Sequence, residues 1–330
     1  MSRKFLPLSV TAALMGSTAM GDVPNVAADI APVHSLVARV MEGLGTPNLI
    51  IQAGASPHDY NLRPSEAAAL QDADLVFWMG EDLTPWMEGA IETLADDAVV
   101  TALLEAEGTI LFDFREGALF DAHVHKEEGE HAHEEEHDHE EHAHEDEHDD
   151  RARDEHGHAH GGHDSHAWLS PENASTWLNL IAAQLSSADP GNAGTYFANA
   201  AAARAELEVL VSEVHGILEP VREGRFIVFH DAYQYFEVSF GLQASGAISL
   251  GDASDPSPAR IAEIQDLIRD EGIECVLAEP QFNRGLVLIV MDGTDANTGT
   301  LDPIGSNLEP GPALYPQLIR NLATTLAECL

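Results

Sequence analysis

From Val23 onward, short apolar runs alternate with amphipathic stretches, the pattern of βα units feeding mostly parallel sheets. Residues 25–33, 48–52, 75–79 and 99–103 read as strands, with helices over 35–43, 64–72 and 85–94 between them. A second alternating series fills the C-terminal third, with strands over 226–229, 244–250, 275–278 and 298–301 and helices over 232–240, 258–270 and 315–330. Residues 285–291 fit helix or strand equally, because a short apolar run carries no period that separates the two. Between the series, 171–185 reads as a helix with proline in its first turn, and 192–219 as an unusually long one. At 1.5 Å per residue its roughly 28 residues would span about 42 Å, a rigid strut between two lobes unless it breaks near Gly216. The fold class expected is α/β: two lobes, each a mostly parallel sheet flanked by helices, joined by one long helix. The boundaries fall at 22–188 for the N-terminal lobe, 189–222 for the linking helix and 223–330 for the C-terminal lobe.

One segment obeys neither period. Between Asp121 and His166, fourteen of the eighteen histidines alternate with eighteen Asp and Glu residues, opposed only by Lys126, Arg151 and Arg153. So polar a tract buries too little apolar surface to offset the ordering of its backbone, and 121–164 reads as a disordered loop inserted in the first lobe. His123 and His125, His131 and His133, His137 and His139, and His142 and His144 form pairs spaced by one residue. His148 follows, then His156, His158, His160 and His163. Each pair can grip a metal ion at modest affinity, since every capture must also order the chain. The tract therefore reads as a collector that passes ions to a tighter site, with a solvated acidic spacer as the other reading.

The formal charge is −42; eighteen acids against three bases put −15 of it in the tract and leave −27 elsewhere. A body this acidic repels phosphate backbones and anionic lipid, which argues against nucleic-acid or membrane-surface binding. Arg3 and Lys4, an apolar run over 5–15 and the small residues Ser17, Thr18 and Ala19 read as a signal peptide over 1–21. That run is too short to span a bilayer, and no cysteine near the junction offers a lipid anchor. The protein is thus expected free in the periplasm, as a monomer. In that oxidising compartment Cys275 and Cys329, the only cysteines, read as a disulfide, with a pair of buried thiols as the alternative.

Three chemically useful residues follow strands. His58 lies beyond 48–52, His230 ends 226–229 with Asp231 after it, and Asp302 follows 298–301. Ligand sites of open parallel sheets lie outside the carboxyl ends of strands, so these positions face one crevice if the lobes are opposed. His166, ahead of the helix at 171, can be held at the same mouth. Three imidazoles and a carboxylate make a four-coordinate set suited to Zn2+. Asp59 and Asp231, each beside a candidate ligand, are candidates for fixing ring orientation. His34, which follows the first strand, reads as a solvent-facing residue at a helix start, with a residue bordering the cleft as the other reading, and His215 as a surface residue. An open position on a three-histidine zinc site could activate water, but no separate general base, Gly-x-Ser-x-Gly, phosphate loop or Cys-x-x-Cys accompanies it. The chain therefore reads as a binding protein and not an enzyme, with metal storage through the insert as a second alternative.

Pro57-His58-Asp59-Tyr60-Asn61-Leu62-Arg63-Pro64, Ala73-Asp74-Leu75-Val76, the His-rich insert and His166-Ala167-Trp168-Leu169-Ser170-Pro171 carry a resemblance across the mature chain. So do Phe229-His230-Asp231-Ala232-Tyr233, Ala278-Glu279-Pro280-Gln281-Phe282 and Gly299-Thr300-Leu301-Asp302-Pro303-Ile304-Gly305. In these motifs the sequence resembles the periplasmic zinc-binding receptors of ABC-type importers, within the metal-receptor cluster that also contains manganese receptors. The resemblance implies two α/β lobes joined by one long helix, with metal in the cleft between them. It implies capture of Zn2+ for delivery to an ABC permease with its ATPase. By motif position it places the metal histidines on His58, His166 and His230, a carboxylate on Asp302, and a disulfide between Cys275 and Cys329. Manganese receptors of the cluster carry glutamate where His230 stands. Some zinc members have a glutamate before the first histidine; here that residue is Pro57, which leaves the fourth position to Asp302 or a water.

Overall fold

Four short strands, Val26–Ala28 (β1), Asn48–Leu49 (β2), Leu75–Trp78 (β3) and Val99–Ala102 (β4), pair in parallel in the order β2-β1-β3-β4. Phe226–His230 (β5), Gly246–Ser249 (β6), Cys275–Ala278 (β7) and Asn297–Thr300 (β8) repeat that plan as β6-β5-β7-β8. This computed structural model describes residues 23–115, 120, 162–249 and 256–330. The leader expected at 1–21 and the histidines from His123 to His160 lie outside the described residues. The central strands are buried on both faces, as apolar strands sandwiched between helices must be, and β4 and β8 at the sheet edges are partly exposed. In each sheet the chain reverses its direction of travel at the central pair, β1/β3 and β5/β7. A crevice opens there at the strand carboxyl ends.

The helices are Ala31–Val40 (α1), Pro64–Gln71 (α2), Pro85–Leu94 (α3), Pro171–Ala188 (α4), Ala193–Leu218 (α5), Gln234–Phe240 (α6), Pro258–Glu271 (α7), Arg284–Met291 (α8) and Leu314–Cys329 (α9). The 26 residues of α5 form one unbroken helix through Gly216, extended by a tight turn at Glu219–Val221. Its buried stripe, Tyr196, Ala200, Ala203, Leu207, Leu210, Val214 and Leu218, advances by threes and fours, the spacing of a narrow seam. That seam packs on α4 and α9, and Arg39–Glu206 and Arg320–Glu213 ion pairs flank it on α1 and α9. One continuous apolar core runs from β1 through α4 and α5 to β5 and α9, and a smaller cluster fills the space under α7 and α8. The closing helix α9 belongs to the second sheet but lies against α1 of the first, where the Tyr315 N–H donates to the Ser35 hydroxyl. Cys275 on β7 and Cys329 on α9 are disulfide-bonded, with Cα atoms 5.7 Å apart.

Two sequence expectations are corrected. The run over 25–33 is not one strand: it breaks after Ala28, and α1 begins at Ala31 with Pro32 in its first turn. Nine of the ten α1 residues are buried, so its first turn continues the apolar run of β1 and reads as strand, and the helix expected over 35–43 starts four residues earlier and ends at Val40. His34, expected at the surface, is buried in the core. Its Nε2–H donates to the Pro47 carbonyl, and burial holds its pKa below the ordinary histidine value, with that carbonyl opposing. The ambiguous run near 285 is a helix because Asn283 caps it, its side-chain oxygen accepting from the Gly285 N–H at 2.9 Å. His215 is half-buried, its ring edge-on to Phe240.

Candidate metal centre

His230 ends β5 at the crevice beside β7, where the chain reverses across the second sheet. The residue following β7, Glu279, reaches across that crevice. Its Oε1 accepts both the backbone N–H of His230, at 3.2 Å, and the ring Nδ1–H, at 2.6 Å. Gln281 donates to the other oxygen of Glu279 at 2.9 Å. The first sheet repeats this joint: Asp29, just past β1, accepts from the Met79 N–H just past β3 at 2.7 Å. Burial pushes the Asp29 carboxyl up to about 7, against the backbone N–H groups that favour its charged form.

His166 precedes a single tight turn, Ala167–Leu169, that leads into α4, whose start is capped by Ser170 accepting from the Asn173 N–H. The turn is held from the other lobe. The Trp168 indole N–H donates to the Pro303 carbonyl at 2.7 Å, and the Tyr315 hydroxyl donates to the Trp168 carbonyl at 2.8 Å. The His166 Nδ1–H donates to Asp164 at 2.7 Å. Asp164 is fixed in turn, because its N–H donates to the Phe112 carbonyl and its own carbonyl accepts from the Tyr235 hydroxyl of α6. The two roots of the His-rich insert thus lie side by side, with an antiparallel bridge at Asp113 and His163, and both are bonded to the second lobe.

His58 comes from the irregular segment between β2 and α2 and is half-buried. His58, His166 and His230 each offer a ring nitrogen, and these nitrogens all lie within 4.8 Å of one another. The Nε2 atoms of His166 and His230 are 3.4 Å apart. With Nδ1–H of both rings given to carboxylates, Nε2 of each ring is turned toward the other. Two nitrogens at about 2.0–2.1 Å from a tetrahedral zinc ion stand roughly 3.3 Å apart, so the pair already has the bite of a zinc site.

Asp302 does not join this set. Its Oδ1 accepts from the N–H groups of Ile304 and Gly305 and from the Ser306 hydroxyl, closing a turn in which Gly305 supplies a positive φ of 77°. The expected ring-orienting carboxylates also differ. Asp59 is exposed, and Asp231 pairs with Arg115, which also binds Glu237 and lies over the Phe120 ring. His230 and Asp231 succeed one another at the end of β5 and so project to opposite sides, which separates Asp231 from the His230 ring. Asp164 and Glu279 hold the rings. Asp164 carried a local signal, two residues before His166, whereas Glu279 becomes adjacent to His230 only through the strand order.

The family profile described as "Zinc-uptake complex component A periplasmic" matches residues 26–329. The chain belongs to this family. It is 44% identical to the "High-affinity zinc uptake system protein ZnuA" of Brucella abortus (strain 2308) over 326 residues, covering 99% of this chain and 97% of that protein. The protein of the same name from Paracoccus denitrificans (strain Pd 1222) is also 44% identical, over 97% of each chain. A solved structure, "Crystal structure of ZnuA", superposes with a TM-score of 0.72 over 93% of this chain and 99% of that one, at 20% identity. The shared architecture is the family's: two four-stranded parallel sheets flanked by helices, with one long helix. Zinc fits the borderline-soft donor set of three imidazoles, two of them backed by carboxylates that fix ring orientation and tautomer.

Proposed function

We propose that this chain is the receptor of a zinc importer: His58, His166 and His230 bind periplasmic Zn2+ tightly, and the loaded form delivers it to an ABC permease driven by its ATPase. The observation that carries this reading is the 3.4 Å approach of two Nε2 atoms, each ring held from behind by a buried carboxylate. The ligands come from both lobes, so zinc ties them together and selects the arrangement in which all three nitrogens converge. The fourth position belongs to water or to Asp302, whose second oxygen becomes available if the 302–306 turn shifts. The protein acts as an exported monomer, and it performs no catalysis.

His163, half-exposed and paired with Asp113, stands where the insert rejoins the described chain, and we assign the insert the role of a weak collector feeding the cleft. Zinc titration against a competing chelator tests the assignment. His58→Ala, His166→Ala and His230→Ala each abolish the tight site, whereas deletion of 123–161 removes weak equivalents and spares it. Tight binding that survives the single substitutions and disappears with the deletion would make the protein a storage device instead. Turnover of ester or carbon dioxide by the loaded protein would overturn the non-enzymatic reading.

A further inference from the structure

The loop that carries His58 has little regular structure, yet one bond from another element grips it next to the ligand. Trp86, in the first turn of α3, donates its indole N–H to the Pro57 carbonyl at 2.8 Å. That carbonyl belongs to the peptide whose nitrogen is His58. Because the peptide is planar, holding the carbonyl sets the direction in which the His58 N–Cα bond leaves it. The rest of the loop supports the same contact. Tyr60 lies against the Trp86 ring, with centroids 5.8 Å apart, and its hydroxyl donates to Glu66 at 2.8 Å. Glu66 is buried and also accepts the Arg63 N–H at 2.7 Å, which anchors the far end of the loop to the start of α2. Nearer to His58, its own N–H donates to the Ser56 hydroxyl at 3.3 Å.

We propose that Trp86 is a positioning residue for metal capture: through the Pro57 carbonyl it presets His58 toward the nitrogens of His166 and His230, and so slows zinc release. This inference rests on the assignment of His58 as a zinc ligand. Removing one neutral hydrogen bond allows the loop more orientations, only some of which point the ring at the site, and the expected loss is roughly three- to tenfold in affinity. The loss should appear in the off-rate, since the encounter of the ion with the site is unchanged.

The test is a double-substitution cycle read by zinc titration and stopped-flow release to a chelator. Trp86→Phe keeps the ring against Tyr60 and deletes the N–H. It should raise the release rate about three- to tenfold while leaving the thermal midpoint of the zinc-free protein nearly unchanged. In a His58→Ala background the same substitution should have no further effect on residual binding, because Trp86 acts only through His58. An equal loss with and without His58, or release from Trp86→Phe at the parent rate, overturns the inference while leaving the receptor reading intact. Retention of tight binding by His58→Ala overturns the site assignment and this inference with it. If Trp86→Phe does not fold, hydrogen exchange of the four indole N–H groups of the unaltered protein decides. A Trp86 N–H protected in the zinc-loaded state supports the tether, and one exchanging at the free rate refutes it.

Discussion

Glu279 is the residue where charge and geometry can be separated. Its Oε1 serves both the ring and the backbone of His230, and its Oε2 accepts from Gln281. Glu279→Gln can keep the first two bonds with its amide oxygen. Its new NH2 would then face the NH2 of Gln281, but the Gln281 carbonyl oxygen is buried without a partner, so rotating that amide restores a bond. What is lost is the negative charge. Hydrogen bonds to a charged group contribute about 1.5–3 kcal/mol against about 0.5–1.5 for neutral ones, so the difference is about 1–1.5 kcal/mol, near tenfold in zinc affinity. Glu279→Ala is a different perturbation. It strips the ring and the backbone N–H of His230 of the acceptor they share in a buried site, which adds about 1–3 kcal/mol of folding cost to a larger loss of affinity. Competition titration should therefore rank the parent, Glu279→Gln and Glu279→Ala in steps of about tenfold, the outer-partner range being about 10–100-fold. Chemical denaturation of the zinc-free proteins should show only the alanine variant destabilised by more than about 1 kcal/mol. Equal affinity for the parent and the glutamine variant would refute the reasoning, because the charge behind His230 would then contribute nothing to the site.

Other parts of the structure yield three further expectations. Reducing Cys275–Cys329 releases a loop closed over a separation of 54 residues, for which the chain-entropy relation gives about 4 kcal/mol; a denaturation midpoint unmoved by reductant would contradict this. Arg115→Met leaves Asp231 and Glu237 buried without their cation and should cost about 3–5 kcal/mol near neutral pH. Burial already pushes the Glu237 carboxyl up, so the variant should recover stability as the pH falls and that group takes a proton; a deficit independent of pH would count against it. His34 has a folded pKa below its ordinary value of 6.5, so below that pH the unfolded chain binds a proton that the folded one refuses. Its contribution is complete above about pH 6.5 and is lost as the pH falls from there toward the folded value. His34→Gln should accordingly narrow the stability gap between about pH 7.5 and about pH 5, and parallel curves for parent and variant would exclude His34 as a source of acid sensitivity.

The order of strands and helices was legible along the chain wherever an element has one buried and one exposed side. The seam of α5 and the buried face of α9 are both readable as threes and fours. Legibility failed at the first turn of α1, whose apolar residues continue the run of β1, and at α8, whose identity depends on the Asn283 cap. The three histidines could be named from the motifs that contain them, and the cysteines from their number and compartment. That these nitrogens meet, and that one pair stands 3.4 Å apart, could not be read from spacings of 108 and 64 residues. The carboxylate beside His230 in sequence is not the one that bonds its ring. Asp231 projects away to Arg115, and Glu279, 49 residues from His230, becomes its neighbour because β7 pairs with β5.

By itself, then, the sequence named candidate side chains for holding zinc, the order of most regular elements and the two cysteines that could join, because each depends on local composition or on a periodic pattern. Only the tertiary structure decided which carboxylate orients each ring, that Asp302 closes its own turn, and that Trp86 holds the peptide bearing His58. Those are distances across strand order and between helices packed from opposite ends of the chain, and no one-dimensional pattern encodes them.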